Sequence, residues 1–530
     1  MMADKIQDET QQTTFHDAIN LTGFGKYNIY ITFACSFIVG SVLIISLDLS
    51  YVMPAAVCDL ELTDYSKAIM STSVFIGSIA ASHISGLFLD ILGRRYVMMR
   101  SLFLTIFLYL LLTFAPNVAT FTILKALQMF VLCPCVSGVF AYIGEISPES
   151  KVSILIIITT TMGSVNLIYI TVIAWITLPY ELSLDLGFMV FHSWRLFLLL
   201  SSVPLVIGAV LMSFLPESPK FVLACGDKDR SLNILQSVYR WNSGKHKDEY
   251  PVKQLVIIPN ENVTLAKNPR DIFNRMWSQT YPLFLPPYLG KVFICSYCYA
   301  IVYFGVNGLL VWVPEMSNRM AISTLKSPNE SLKLCEMMST EVGFVEEIIE
   351  PPLTNFDDNN ISKIVKSEEC IVVIKEEIFL PNFILSLVQP GSMMVIGFLI
   401  PFLPKKLAIM VSLLISGLFL ISATLIPNTK YIMAVFTFFP PVLSIVFNLI
   451  TNFGVLFFPT NLRGMAVSLC VMFGRLGSII GNFAFSLMLG TKCLFLFYGY
   501  VTVIFFGIFI VSFIKTSPEP KKQQETNDIT

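Results

Sequence analysis

The chain has 530 residues, of which 55% are hydrophobic and 13% charged, and its formal net charge is −1. A soluble domain carries about 25% charged residues. This balance, with a mean hydropathy of +0.72, excludes a soluble globular protein and leaves one built of apolar spans of about 20 residues. A charge so close to zero gives no electrostatic reason to expect nucleic acid as a partner.

Residues 1–27 form a polar tail without the basic start and short apolar core of a cleavable signal, so the first span is expected to direct its own insertion. Twelve spans are predicted, at 28–54, 66–92, 96–115, 119–143, 152–178 and 191–215, then 289–314, 379–402, 405–426, 429–458, 463–489 and 491–514. Basic residues orient them. Arg94, Arg95, Arg100, Lys151, Lys405, Lys406, Arg463 and Lys515 fall on one side together with the segment 216–288, which predicts that both termini are cytosolic. The organisation is then a tail, a six-helix half (28–215), a linker (216–288), a second half (289–514) and a tail (515–530).

In the linker, Pro216-Glu217-Ser218-Pro219 stops span six, and Asp227 opens an amphipathic helix with Leu232, Leu235, Val238 and Tyr239 on its apolar face. Asn268-Pro269 opens a second, with Ile272, Phe273, Met276 and Trp277. The loop 315–378 falls on the extracellular or luminal side. It holds glycosylation sequons at Asn329 and Asn360, and Cys335 and Cys370 as a disulfide candidate in an oxidising location. Cys133-Pro134-Cys135 lies inside a span with no His or carboxylate beside it and reads as packing. No nucleophile–base set or metal cluster is visible, so no enzyme, metal or cofactor is expected.

An internal repeat sets the architecture. Gly86-Leu87-Phe88-Leu89-Asp90-Ile91-Leu92-Gly93-Arg94-Arg95, after span two, has a worn copy in Gly397-Phe398-Leu399-Ile400-Pro401-Phe402-Leu403-Pro404-Lys405-Lys406, after span eight. Glu145-Ile146-Ser147-Pro148 pairs with Leu456-Phe457-Phe458-Pro459 at the same offset. Two landmarks at one offset predict an all-α protein of two pseudo-symmetric six-helix halves.

These features resemble the major facilitator superfamily across 24–514. Phe191-His192-Ser193-Trp194-Arg195, Pro216-Glu217-Ser218-Pro219-Lys220-Phe221, Ala174-Trp175, Val52-Met53-Pro54 and Pro459-Thr460-Asn461-Leu462-Arg463 resemble the synaptic vesicle glycoprotein 2 group within it. The neighbouring sugar and organic-ion transporters share the landmarks less closely. The resemblance implies that Gly86, Asp90, Gly93, Arg94 and Arg95 form a conformational device at the cytosolic surface. Asp90 is expected to face the start of span eleven, where helix-end N–H groups favour negative charge and Arg463 lies. Arg94 and Arg95 are expected to pair with Glu145 and Glu217 and so hold the two halves together.

Alternating access places a solute site near the midplane between the halves. The ionisable candidates are Asp48 and Arg475. Asn166, Tyr169, Trp175, Tyr303, Asn307, Trp312, Asn448 and Asn452 are the polar and aromatic ones, although each asparagine reads equally as an interhelical hydrogen bond. Lys125 reads as a path residue or as one snorkelling outward. His83 reads as a structural or a proton-carrying histidine. Relative to the vesicle glycoproteins, Val42 and Ile45 stand where span one has two acids, and Leu456 stands where a glutamate is usual. Three readings follow: a secondary transporter of a small polar or organic solute, a transport-inactive vesicle or surface protein, and an organic-ion carrier. The expected partners are a small-molecule solute and the lipid bilayer, with a coupling ion left open. A monomer in the plasma membrane or an intracellular vesicle is expected.

Overall fold

The computed structural model describes residues 12–256, 277–326, 332–339, 379–399, 404–458 and 460–513, apart from 181, 186, 188 and 279. The predicted spans are helices with slightly different ends. In the first half they are Lys26–Ala55, Asp64–Leu92, Arg94–Thr113, Val118–Ile146, Glu149–Thr177 and the pair Ser193–Ser201 and Val203–Ser213. In the second half span seven runs from Leu289 to Lys326, so the first twelve residues of the segment expected to be the loop 315–378 continue the helix, where the buried Glu315 and Arg319 pair with each other. It is followed by Phe379–Leu399, Lys405–Leu425, Thr429–Phe457, Thr460–Met488 and Cys493–Ser512. Ten described helices are long and apolar enough to cross a membrane, and span two makes an eleventh if its two pieces are taken as one. The 21-residue helix Phe379–Leu399 completes the bundle.

Each half buries its own core. One cluster gathers Ile31, Ile38, Leu102, Leu132 and Phe197 from the first half. Another gathers Val302, Leu413, Phe439 and Tyr500 from the second. Between the halves, span two packs on span eleven, span five on span eight, and span one on span seven. Exchanging the halves converts the first two pairings into each other and the third into itself, which is the symmetry the repeat predicts. Small residues permit close approach: a Cβ on Gly77 of span two would lie 2.1 Å from the Ala126 carbonyl oxygen of span four. Span seven contains a π-turn, Phe304–Gly308, where the Tyr500 hydroxyl donates to the Ile301 carbonyl at 2.9 Å.

Span one begins and span twelve ends on the same face, called the near face below. The linker helix starts at Asp227, whose side chain accepts the Arg230 N–H, and ends at the left-handed Gly244. It is two-sided. Ile234 and Val238 join the first core, while Leu235 packs with Phe15, Ala18, Ile19 and Tyr250 in a small cluster of its own. The N-terminal strand Gln12–Thr14 pairs in parallel with Gln254–Val256, a pairing too short and too distant in sequence to be read from periodicity. Asn242 ties this assembly to span one: its amide donates to the carbonyls of Thr22 and Gly23 and to the Asn28 side chain, and its Oδ1 accepts the Tyr27 N–H. The second predicted amphipathic segment lies outside the described residues up to 276. Trp277 is exposed and lies against Tyr281.

Candidate functional site

The expected gate residues lie together at the near face, yet they join helices of one half. Arg94 donates to Asp90 at 2.8 Å and to Glu145 at 3.0 Å and stacks over Phe221. Glu145 also accepts the Ser218 hydroxyl at 2.6 Å. Glu217 accepts the backbone N–H of Arg95 at 2.9 Å and of Tyr96 at 3.1 Å. It is therefore an N-cap supplied in trans to span three, satisfying two donors that a helix start leaves open. Arg95 donates to the Ser213 carbonyl at 2.7 Å. Spans two, three, four and six, all of the first half, are pinned together with the linker turn that follows span six. The expectation that these acids bridge the halves is corrected on that point. Span four and the Pro216-Glu217-Ser218-Pro219 turn are the nearest neighbours of Arg94, and among the described residues Asp90 pairs with Arg94 alone. The side chain of Arg463 lies outside the described residues.

Gly93 is what brings Glu217 close. Its φ of +99° with ψ of 146° is a conformation nearly reserved for glycine, and a Cβ there would lie 2.8 Å from Glu217 Oε2. Gly93→Ala is expected to cost about 1–3 kcal/mol of stability, measured by thermal unfolding in detergent. Gly86→Ala is its control. Gly86 has nothing within 4 Å of its Cβ position, so the substitution should leave stability equal or slightly higher. Equal losses in both would contradict this account.

The halves meet through other charges. At the face opposite the termini, Lys67 of span two lies 3.2 Å from Glu315 of span seven, and both side chains are buried. Arg319, one turn on, pairs with Glu315 at 3.1 Å and lies 3.8 Å from Asp64. It also donates to the Met338 carbonyl at 3.0 Å. The Ser486 hydroxyl of span eleven donates to the Asp64 carbonyl. Trp175 of span five stacks on Phe379 of span eight. This cluster escaped the sequence reading because Lys67 and Glu315 sit where spans are expected to end and read as solvated. The chain positions alone do not bring spans two and seven together.

The same region corrects the disulfide. Cys335 is bonded to Cys493, whereas the composition of the loop had suggested Cys370. The short helix Leu334–Met338 carries Cys335. Its buried Leu334, Met337 and Met338 and the Arg319 bond to Met338 seat it over the start of span twelve. Cys370, Asn329 and Asn360 lie outside the described residues.

The path candidates separate into two groups. Asp48 lies within the first half, not between the halves: its Oδ2 accepts Lys125 Nζ at 2.6 Å and Tyr109 Oη at 2.8 Å, and neither member of the ion pair is exposed at all. The outward-snorkelling reading of Lys125 falls with it. Asn166 is also internal, bonding Gly163 of its own helix and wedging against Gly40 of span one, and Tyr169 donates to the Leu200 carbonyl of span six. Asn448 bonds the Ser444 carbonyl one turn back. Arg475, in contrast, crosses between the halves. From the middle of span eleven its Nη1 donates to the Ser78 carbonyl at 2.7 Å and to the Ser82 hydroxyl of span two, and it lies 3.8 Å from Cys133 Sγ of span four. Tyr303 lies against Gly474 beside it. Asn307 donates to the Ser478 hydroxyl at 2.9 Å. Trp312 is buried, and its indole N–H makes no hydrogen bond among the described residues. The side chains of Asn452 and His83 lie outside the described residues.

Between spans one, five, seven and eight, Ser50, Tyr51, Thr171, Asn382 and Gln389 line a space of only about 40 Å³. That holds water but is far below the size of a solute site. A larger space of about 650 Å³ lies among spans seven, eight and ten within the second half.

The profile of the family described as "Sugar (and other) transporter" matches residues 22–307, more than half of the chain. Synaptic vesicle glycoprotein 2B of Homo sapiens is 25% identical over 339 residues, 60% of this chain and 49% of that protein. Synaptic vesicle glycoprotein 2A of Rattus norvegicus is 24% identical over 284 residues, 50% of this chain and 38% of that protein. At best the chain spans about half the length of these curated relatives. The inward open structure of the xylose transporter XylE from E. coli superposes with a TM-score of 0.63 at 14% identity, covering 93% of this chain and 98% of that one. A crystal structure of a D-xylose–proton symporter gives 0.62 at 13%, covering 92% and 98%. These similarities establish the major facilitator fold of a multi-pass membrane protein, and the chain belongs to the sugar (and other) transporter family.

Proposed function

We propose that this protein is an alternating-access secondary transporter that moves a small polar or organic solute across a membrane. The observation that carries the reading is the join between two separately cored halves. Beside apolar packing such as Trp175 on Phe379, it contains breakable polar contacts, Lys67–Glu315 at the far face and Arg475 to Ser78 and Ser82 at mid-depth, while the first-half network around Arg94 keeps that half rigid as it moves. On this reading residues 28–215 and 289–514 are the moving bodies, 216–288 is a cytosolic linker, the near face is cytosolic, and the protein works as a monomer. A plasma membrane or vesicle location, glycosylation at Asn329 and Asn360, and coupling to an ion belong to the same proposal.

One observation favours a second reading, a transport-inactive vesicle or surface protein. Val42 and Ile45 leave span one with Asp48 as its acid, and Asp48 is fully sealed in a pair with Lys125. Purified protein in liposomes, given a mixed solute pool with and without a pH gradient, decides between the two. Uptake of any solute above empty liposomes supports transport. No uptake, together with no change in the labelling of cysteines introduced along the inter-half surface, would defeat it.

A further inference from the structure

We infer that a disulfide joins Cys58 of the first half to Cys370, just before span eight of the second, so that the two halves are covalently tethered at the far face. Cys58 is disulfide-bonded, and a cysteine makes one such bond. Among the other described cysteines, seven are free thiols, and Cys335 and Cys493 are bonded to each other. None of these is its partner. The chain has 11 cysteines, and Cys370 is the one that remains. Location agrees with this count. Six of the seven free thiols lie inside spans, and Cys225 lies at the near face just past span six. Cys58, Cys335, Cys370 and Cys493 are the four that the chain order assigns to the far side, an even set in an oxidising location.

Cys58 sits in the turn between spans one and two, and that turn is fixed to the first half. The Leu62 N–H donates to the Val57 carbonyl at 2.9 Å, and Leu60 and Leu62 are buried in the first core. Asp59 accepts the Trp194 indole N–H at 2.6 Å and lies 3.2 Å from His192 Nε2, both at the start of span six. Cys370 is nine residues before Phe379, where span eight begins. Phe379 is stacked on Trp175 of span five, so span eight starts beside the first half. Nine residues reach about 30 Å at most, and a disulfide asks for Cα atoms about 6 Å apart. The same reach says what the tether does. It leaves slack for the halves to part at the far face and stops them from coming away from each other. Bond formation takes two thiols to one S–S bond with loss of two protons and two electrons, accepted by the disulfide of a thiol oxidoreductase in the compartment that the far face meets. It rests on the orientation proposed above and not on transport.

The test uses the full-length protein with a protease site introduced into the linker between residues 257 and 276. Free thiols are alkylated, the linker is cut, and the product is run in denaturing gels. The wild type should run as one species without reductant and as two with it. Cys58→Ser and Cys370→Ser should each run as two species either way. Cys335→Ser should still run as one without reductant, because its bond to Cys493 lies within the second half. Alkylation of the denatured wild type should find seven thiols before reduction and 11 after it. The wild-type readings need no variant to fold. Two species from the unreduced wild type would overturn the inference. So would a cross-linked peptide that pairs Cys58 with any other cysteine, or a reductant-sensitive dimer of whole chains that is lost in Cys58→Ser. A tethered protein that takes up no solute would defeat the transport reading and leave the tether standing.

Discussion

Lys125→Met is expected to cost about 3–5 kcal/mol of stability, and Asp48→Leu a comparable amount, while the double variant should recover most of either loss. The reason is burial. Neither side chain of the pair is exposed, their contact is 2.6 Å, and the Tyr109 hydroxyl completes the carboxylate's coordination on the same oxygen. Removing one partner strands a full charge among apolar neighbours, whereas removing both exchanges the pair for apolar volume. A double-mutant cycle by thermal unfolding in detergent measures the coupling. Single losses under about 1 kcal/mol, with transport abolished, would mean that the pair is hydrated and belongs to the pathway after all.

That pair shows where the sequence was legible and where it was not. Composition and hydropathy located eleven of the spans to within a few residues, because a bilayer demands a long apolar run for each one; span seven runs twelve residues past its expected end at 314, because Glu315 and Arg319 read as solvated loop. The repeated Gly-x-x-x-Asp-x-x-Gly-Arg-Arg stretch located the Arg94 network and its acids Glu145 and Glu217. It did not say that their bonds close on one another and on the Pro216-Glu217-Ser218-Pro219 turn instead of reaching the second half, since a helix order fixes neighbours only after the halves are folded. Asp48 and Lys125 were both visible as ions out of place. Their partnership was not, because residues 77 apart in sequence are brought together only by the packing of span one against span four. The same holds for Lys67 and Glu315, 248 residues apart, and for Cys335 with Cys493. Asn166 and Tyr169 had the chemistry of lining residues, but their bonds go to backbone carbonyls of the same half, which is the commoner use of a polar group in a membrane bundle.

Glu315→Gln is expected to open the far face. Glu315 is the carboxylate at the centre of that cluster: it holds Lys67 from the opposite half and Arg319 from its own helix. Losing its charge leaves two cations facing each other in a nearly closed site, with Asp64 at 3.8 Å from Arg319 as the remaining acid. The halves then separate there to let water reach Lys67. Lys67→Met is the instructive comparison. It removes the inter-half pair but leaves Glu315 neutralised by Arg319, so its effect should be the smaller of the two. If loss of the carboxylate weakens the closed state by about 3 kcal/mol, the population ratio shifts by about 100-fold. A cysteine introduced at Ser50, which lines the narrow space between spans one, five, seven and eight, reports that shift through its labelling by a membrane-impermeant thiol reagent applied from the far side. Labelling should rise at least about tenfold in Glu315→Gln and only modestly in Lys67→Met. Equal rates in all three proteins would mean that the cluster is a rivet in a static interface, and the far face would have to open elsewhere or not at all.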